Sequence, residues 1–466
     1  MPTEPKDTVS IDAVREIFPV LVTPTTWLGR LPHASRGWYQ RAWTPLVVLW
    51  TLIFQRLNAD HSCDAAVNYV LEGGADHLDL AHPVPLSQRL QSESTSAFCQ
   101  ARARLPLALL QTALPETGLR ISSWLGPDGT WLGHVTALLD GSSLLLRPTP
   151  ELSAAYASHA NQYGPTYWLG MRLLVAFCLG TGAVLAAVEA SIALSEQALV
   201  LSLLAQAPAG LVWVADRNFG FFSVVQAARS QQQHVVVRLN RRIAHALAGH
   251  KVTQNGDWAV VWRCSRDASA HPGLAADPIP GRLIFVRLLR PGFRPIELCL
   301  FTTLTDCERY PVTALVQLYG YRWHVELDLR YVKSTLDMDR LAAKSPDSVR
   351  KELYAGLLAY NLIRGFMTQA AVQAGISPLT LSFTQCWRRI RSYLAARHRG
   401  DSPAGLAART QRLLRRLARC RLPLRAPFRI EPRAVRRRPA TYPNLKGSRT
   451  AAREQARSKL QTEAKS

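Results

Sequence analysis

The pattern of apolar and polar positions changes twice along the chain. Residues 1 to about 125 contain long apolar runs with helical spacing, such as PLVVLWTLIFQRL and AFCQARARLPLALLQTAL. From about residue 130 the apolar runs are short and bounded by Gly and Pro, which is typical of strands. Helical spacing returns at Pro311 and continues to about Ala374. The pattern predicts a helical segment, a mixed α/β segment and a second helical segment.

The middle segment predicts a definite order of elements. Three strands in hairpin order are predicted from HVTALLDGSSLLL, GMRLLVAFCLGTG and AVLAAVEASIA. A helix, a strand, a helix and a strand follow in SEQALVLSLLAQA, GLVWVAD, FSVVQAARSQQQ and HVVVRLN. Strands this apolar are covered by helices on both faces. The order β-β-β-α-β-α-β predicts an α/β fold with a ribonuclease H-like core.

The net charge indicates the kind of partner. The chain has 56 Lys and Arg against 33 Asp and Glu, a net charge of +23. Arginine guanidinium groups match phosphate oxygens in geometry and charge, so we expect a polyanion as the partner. The N-terminus carries acids where a signal peptide needs a basic region, and the most apolar stretch, Leu173 to Val188, is shorter than the roughly 20 residues that span a bilayer. We expect a cytoplasmic protein with no membrane segment.

Composition then suggests five parts. Residues 1–125 form a helical domain that we expect to bind DNA, and residues 130–240 form the first part of the core. Residues 241–305 hold strand-like pieces and many arginines, which predict a β-rich insertion. Residues 306–375 supply the last core helices, and residues 376–466 form a basic C-terminal region and tail.

One helix of the first part is a candidate for reading DNA. It begins after Ser94 and Thr95, which are good N-cap residues, and it carries Gln100 and Arg104 one turn apart with Arg102 nearby. This is the arrangement of a recognition helix in a DNA groove. A basic, solvated face on a packing helix has the same pattern, and the sequence leaves both interpretations open.

Three carboxylates are candidates for catalysis. Asp140 follows the apolar run VTALL and Asp216 ends the run LVWVAD, so both acids are expected at the tips of their strands. Glu326 lies in the long helix predicted over ALVQLYGYRWHVELDLRYVKSTL. Three acids that meet at one edge of a sheet could hold two divalent cations, which activate a nucleophile and stabilise the leaving oxygen. An Asp after a strand is also a common turn or N-cap residue, so each acid alone is ambiguous.

The helix pattern makes the hypothesis more specific. Tyr319, Arg322, Glu326 and Lys333 fall within about 60° of one another on a helical wheel. Such a stripe suits a nucleic-acid site, with Glu326 for metal, two cations for phosphates and a phenol for a phosphate oxygen or a base. A salt-bridged surface helix is the alternative, because Arg322 and Glu326 form an ordinary i,i+4 pair. Asp328 is about 200° from Glu326 and is expected on the opposite, solvated face.

The spacing Tyr-x2-Arg-x3-Glu-x6-Lys resembles the signature of IS4-type transposases, the DDE enzymes of bacterial insertion sequences. DGSS at 140–143 and ADRNFG at 215–220 are similar to the two other acidic motifs of this family, and FTTLTD, YGYRWHVE and KELYAGLLAYNLIRG resemble flanking blocks. Two differences are visible: Ser142 stands where Thr is usual, and Asn218 where Gly is common. The resemblance extends over nearly the whole chain.

This resemblance implies a function and a site. It implies that Asp140, Asp216 and Glu326 bind two Mg²⁺ ions, for which Mn²⁺ can substitute, and that a homodimer binds double-stranded DNA at the terminal inverted repeats. It implies cleavage at the transposon ends and joining of the 3′-hydroxyls to target DNA, with no nucleotide cofactor. A ribonuclease H-like nuclease or resolvase, or an inactive DNA-binding protein, are the alternatives that chemistry alone leaves open.

Further DNA contacts are predicted away from the acids. Some members of the family form a DNA hairpin, which requires a flipped base to stack on an aromatic side chain. Tyr319, Trp258 and Trp262 are candidates, and core packing is the alternative for the two tryptophans. In the tail, the cluster at Arg436, Arg437 and Arg438 is expected to contact phosphates of any DNA sequence.

Overall fold

A computed structural model describes residues 42–78, 82–161, 164–264, 277–289, 296–395, 403–423 and 447–463. Its first part is helical, as the sequence predicts. The helices of this part are α1 (Pro45–Leu57), α2 (Cys63–Leu71), α3 (Leu86–Arg89), α4 (Thr95–Arg104) and α5 (Leu107–Ser123). Side-chain caps begin three of them: Thr44, Ser62 and Ser94 each accept a hydrogen bond from a backbone N–H of the first turn. Ser94 is therefore the N-cap of α4, and the helix begins at Thr95, one residue earlier than predicted.

The middle part forms a mixed sheet surrounded by helices. Its strands are β1 (Thr136–Leu146), β2 (Ser158–Asn161), β3 (Gly164–Cys178), β4 (Val184–Ser191), β5 (Val212–Ala215) and β6 (His234–Arg238). Its helices are α6 (Pro150–Ala155), α7 (Glu196–Gln206), α8 (Phe222–Ser230) and α9 (Arg241–Ala248). β3 is antiparallel to both β1 and β4, whereas β5 is parallel to β1 and β6 is parallel to β5. The seven elements predicted from the sequence are all present in their predicted order, and β2, α6 and α9 are additional.

The strands predicted between residues 241 and 305 extend this same sheet. They are β7 (Gly256–Trp262), β8 (Ile279–Leu288) and β9 (Ile296–Thr302), and each is antiparallel to the next. β9 also pairs antiparallel with β6, with Val236 opposite Thr302 and Arg238 opposite Leu300. The β-rich segment therefore continues the central sheet through backbone hydrogen bonds.

The last part returns to helices. They are α10 (Val312–Gly320), α11 (Trp323–Arg330), α12 (Pro346–Ala374), α13 (Phe383–Ala395), α14 (Pro403–Ala418) and α15 (Arg449–Glu463), and the short strand β10 (Arg340–Leu341) pairs with β1. Of the helices in the described ranges, none is both long and apolar enough to cross a membrane.

The long helix α12 organises the core. Its Asn361 side chain accepts a hydrogen bond from the backbone N–H of Val184 and donates to Thr117, so α12 is tied to β4 and α5. Buried residues of α1, α5, β1, β3 and α12 belong to one continuous hydrophobic cluster. Because α1 and α5 lie in this cluster, the hydrophobic core does not end near residue 125.

Candidate active site

Three charged residues lie level with one another on one face of the sheet. In the parallel pairs, Leu138 is opposite Val214 and Ala215 is opposite Val237, so Asp140, Asp216 and Arg238 follow at matching positions. Leu138, Val214 and Val236 face the cluster around α12, whereas their chain neighbours face the other side. Because side chains alternate along strands, Asp140, Asp216 and Arg238 point to the α12 side.

Asp140 lies inside a strand and not at its tip, contrary to the sequence prediction. β1 continues to Leu146, while its pairing with β5 ends at Leu138, so the β5 side of the strand is open at Asp140. Asp140 accepts a hydrogen bond of 2.8 Å from the Gly141 backbone N–H. Burial outweighs this bond and, helped by the nearby Asp216 carboxylate, raises the pKa of Asp140 from 3.8 to about 6.

Asp216 directly follows β5, as predicted. Its carboxylate caps the 3₁₀ turn Arg217–Phe219 by accepting a hydrogen bond of 2.8 Å from the Asn218 backbone N–H. The Asn218 side chain donates to Glu196, the first residue of α7. Asn218, which departs from the usual family pattern, therefore joins the Asp216 turn to α7.

The helix that carries Glu326 is broken. The sequence predicts one continuous helix through this region, but α10 ends at Gly320 and α11 begins at Trp323. A π-helical turn, Tyr331–Thr335, then follows α11. The positions predicted to form a single stripe therefore lie on three short elements.

Arg322 stands at the first break and joins two of the acids. One guanidinium nitrogen lies 2.7 Å from a Glu326 oxygen and the other 3.5 Å from an Asp140 oxygen. The predicted i,i+4 pair between Arg322 and Glu326 is therefore present, and Arg322 connects it to Asp140 on the sheet. Glu326 and Asp216 both act electrostatically on Asp140, so all three predicted acids share one site.

Tyr319 and Lys333 flank this site in different ways. Tyr319 is only 7% exposed, burial raises the pKa of its hydroxyl, and Arg238 hydrogen bonds to it. Its ring is therefore unavailable for stacking on a base. Lys333 donates to the Ser143 carbonyl oxygen at 3.0 Å and pairs with Asp339 at 3.2 Å, because the π-helical turn directs it along β1.

Asp328 does not face solvent, and this prediction is wrong. It is 4% exposed and forms an ion pair with Arg364 of α12. The Tyr360 hydroxyl lies 3.1 Å from the same carboxylate. The helical rotation does turn Asp328 away from Glu326, but that side of α11 packs on α12.

The carboxylate set has the chemistry that Mg²⁺ or Mn²⁺ prefers, since hard cations bind carboxylate oxygens. Across the described part of the chain, no three His, Cys, Asp or Glu side chains are already gathered closely enough to hold an ion. The Arg322 guanidinium lies between Asp140 and Glu326 and explains their separation. The three carboxylates therefore have the donor chemistry for a divalent cation, and the Arg322 guanidinium occupies the space between two of them.

The other predicted residues lie elsewhere. Gln100 and Arg104 are exposed on α4, whereas Arg102 is half-buried and turns toward Cys63. Trp262 is 6% exposed and packs against core phenylalanines, which excludes base stacking there, and Trp258 is half-buried on β7. The cluster at 436–438 lies outside the described residues.

Sequence reasoning missed four residues at the site. Arg238 had a visible signal, since HVVVR ends in a charge at the position where LVWVAD ends in Asp216. Tyr321 and Trp323 flank Arg322 and are 46% and 57% exposed, but exposure cannot be read from the sequence. Glu196 joins the site only through tertiary contacts with Asn218 and, at 3.3 Å, with Arg172.

Comparison with known proteins assigns this site to a family. The family model described as "Transposase DDE domain" matches residues 131–362, which include all three acids. The chain is 28% identical over 359 residues to the transposase InsG of insertion sequence element IS4 from Escherichia coli (strain K12), covering 75% of this chain and 78% of that protein. A putative transposase, y4zB, from Sinorhizobium fredii is 35% identical over 63 residues, covering 14% of this chain and 18% of that one.

A cryo-EM structure of the piggyBac transposase synaptic complex with hairpin DNA is also similar, with a TM-score of 0.38 and 12% identity over 90% of this chain and 87% of that one. The family match and the IS4 relative place the chain among the DDE transposases, of the IS4 type. It is a DNA-binding enzyme that cleaves DNA and transfers strands with the help of divalent metal ions. A simple nuclease and a regulator without catalysis are thereby disfavoured.

Proposed function

We propose that Asp140, Asp216 and Glu326 are the metal-binding triad of this transposase and that two Mg²⁺ ions occupy the site, with Mn²⁺ able to substitute. The observation that carries the proposal is the level placement of Asp140 and Asp216 on one face of adjacent strands, with Glu326 linked to Asp140 through Arg322. A two-ion site activates the attacking oxygen and stabilises the leaving oxygen of an in-line displacement at phosphorus.

The positively charged side chains around the three acids would bind the DNA backbone. Arg322 is paired with two carboxylates. We propose that its guanidinium turns to a DNA phosphate when bound metal ions neutralise these carboxylates. Arg238 is held by the Tyr319 hydroxyl and by the Glu297 carbonyl oxygen at 3.2 Å. Lys333 provides a third positive charge beside β1, near enough for a neighbouring phosphate.

The catalytic core is proposed to be ribonuclease H-like. The strand order β4-β3-β1-β5-β6, with three antiparallel strands followed by two parallel ones, supports this proposal. In this sheet the central strand β1 carries Asp140, and Asp216 directly follows its parallel neighbour β5. The helices α7 and α8 connect the parallel strands.

The full reaction is proposed to be cut-and-paste transposition by a dimer. Each protomer would bind one terminal inverted repeat, hydrolyse the phosphodiester bond at that end, and direct the freed 3′-hydroxyl at target DNA. Exposed Gln100 and Arg104 on α4 are proposed to read the repeat. Exposed Tyr321 and Trp323 take the place of Trp262 as candidates for stacking on an unpaired base, because they lie beside Arg322.

Glu326→Gln tests the triad. It keeps the shape of the side chain but removes a metal-ligand charge, so Mg²⁺- or Mn²⁺-dependent nicking of a repeat-end duplex should fall at least about 100-fold while end binding in a gel-shift assay persists. Glu308→Gln is the matched control, because it makes the same substitution at an exposed residue outside the site. The neighbouring Arg309 contacts the Leu132 carbonyl oxygen, which lies before β1 in the chain. Nicking by Glu326→Gln at the native rate would refute the assignment.

A further inference from the structure

The helix that carries Glu326 has little support of its own. α11 is only 8 residues long, and it lies between the break at residues 321–322 and the π-helical turn that begins at Tyr331. The backbone stays helical at both ends of α11, but i→i−3 hydrogen bonds around residues 321–325 and the π-helical turn interrupt the regular hydrogen-bond pattern that would hold it rigidly to its neighbours. The direction in which Glu326 points is therefore set by contacts between α11 and the rest of the protein.

A buried polar cluster supplies these contacts on the opposite side of α11 from Glu326. Asp328 pairs with Arg364, and the two side chains are 6% and 3% exposed. Arg364 also donates from Nε to the Tyr360 hydroxyl at 2.8 Å, and this hydroxyl lies 3.0 Å from the Gly182 carbonyl oxygen. The cluster thus connects α11 to α12 and to the turn between β3 and β4.

The pocket around the Arg364 guanidinium is closely shaped. Its central carbon lies 5.2 Å from the ring centroids of both Tyr360 and Phe383 and 5.9 Å from that of Tyr331. On another side, a Cβ at position 182 would come within 2.7 Å of the same carbon, so glycine is needed there, and its φ of +71° also favours glycine. Asp328 therefore has one well-defined partner position.

Stability alone does not explain such a cluster. Taking two charges out of water costs free energy that their attraction only partly returns, and well-packed apolar side chains of similar size are often as stable. Directional polar contacts instead specify one orientation. We propose that Asp328 and Arg364 are positioning residues that set the rotation of α11 and so aim Glu326 at Asp140 and Asp216. The inference rests on the proposed role of Glu326 as a metal ligand.

The test replaces the charged pair by apolar residues and measures metal binding directly. The double variant Asp328→Leu, Arg364→Met fills the pocket without a directional contact. It should keep its melting temperature near the native value and bind repeat-end DNA normally. Its affinity for Mn²⁺, titrated by electron paramagnetic resonance in the absence of DNA, should fall about 10- to 100-fold, the usual effect of removing a group that orients a metal ligand. Nicking should need correspondingly more Mn²⁺.

Two further variants keep the test decisive. Arg56→Met breaks another buried ion pair on α12, the 2.7 Å contact with Glu352, and should lower the melting temperature while leaving Mn²⁺ affinity unchanged. Arg364→Lys keeps the charge but loses the planar fork. It should also weaken Mn²⁺ binding, and it replaces the double variant if that protein does not fold.

The positioning role would be overturned if the folded double variant bound Mn²⁺ with native affinity. If the double variant does not fold, the same result with Arg364→Lys would overturn it. Equal loss of Mn²⁺ affinity in Arg56→Met would overturn it as well. Glu326→Gln is titrated in parallel. If Glu326→Gln binds Mn²⁺ and nicks normally, the triad assignment fails. If it does neither and the Asp328/Arg364 variants behave as native, only the positioning role fails.

Discussion

Asp140→Asn is expected to make the protein more stable in the absence of metal, although it should abolish nicking. The carboxyl has a pKa of 3.8 in the unfolded chain and about 6 in the folded protein. Between pH 3.8 and pH 6 this carboxyl is protonated to a greater extent in the folded state than in the unfolded state. Its contribution to stability is therefore complete below about pH 4 and is lost as the pH rises through 6. Asn has no proton to lose and keeps an oxygen for the Gly141 N–H.

The size of the effect follows from the two pKa values. Each pKa unit corresponds to about 1.4 kcal/mol, which gives an upper limit of about 3 kcal/mol. The Asp140 side chain is 24% exposed and lies beside Arg322, so solvent screening reduces the expected gain to about 1 to 2 kcal/mol.

Urea denaturation in EDTA at pH 4.5 and pH 7.5 measures this gain. The free energy of unfolding of Asp140→Asn should exceed that of the native protein by about 1 to 2 kcal/mol at pH 7.5 and by less at pH 4.5. Adding Mg²⁺ at pH 7.5 should stabilise the native protein and leave the variant nearly unchanged, because a ligand stabilises only the state that binds it. A variant less stable than the native protein at pH 7.5 in EDTA would show that pairing with Arg322, and not burial, dominates at Asp140.

Two further predictions concern DNA. Replacing both Gln100 and Arg104 by Ala should abolish the specific footprint on the terminal repeat while non-specific affinity falls only slightly, and a retained footprint would exclude α4 as the reader. Neutralising the three arginines at 436–438 should weaken binding to every sequence and reduce the slope of log affinity against log salt by up to about three; a loss of specificity with an unchanged slope would mean that the cluster reads bases.

The elements with strong local signals could be predicted from the sequence. The strands β1, β3, β4, β5 and β6, with the two helices that join β4, β5 and β6, follow from apolar runs and their Gly and Pro boundaries, because each run is a strong local signal for its own element. The acid at the end of β5 could be placed for the same reason. Asp140 was placed less exactly, because the sequence does not show that the pairing of β1 with β5 ends at Leu138 while β1 itself continues to Leu146.

The remaining features depend on contacts distant in sequence. The break near Arg322 interrupts an otherwise regular helical pattern directly after Gly320, and the apolar spacing continues across it without a change of period. The burial of Asp328 depends on Arg364, 36 residues later, and on Gly182 in a different turn. Helical periodicity correctly gave the angle between Glu326 and Asp328 but could not say that the side of α11 bearing Asp328 packs on α12.

The hydrophobic core that joins the first helices to the catalytic strands has a consequence for how insertion sequences diversify. Lys351 of α12 donates at 2.7 Å to the Ala103 carbonyl oxygen near the end of α4, and α1 and α5 lie in the same cluster as the catalytic strands. The segment that contains α1 to α5 therefore could not be exchanged between insertion sequences on its own. Its removal would leave the apolar residues of β1, β3 and α12 uncovered. New end specificities would instead arise from substitutions on the exposed face of α4, so that a transposase and the repeats it reads change together in small steps.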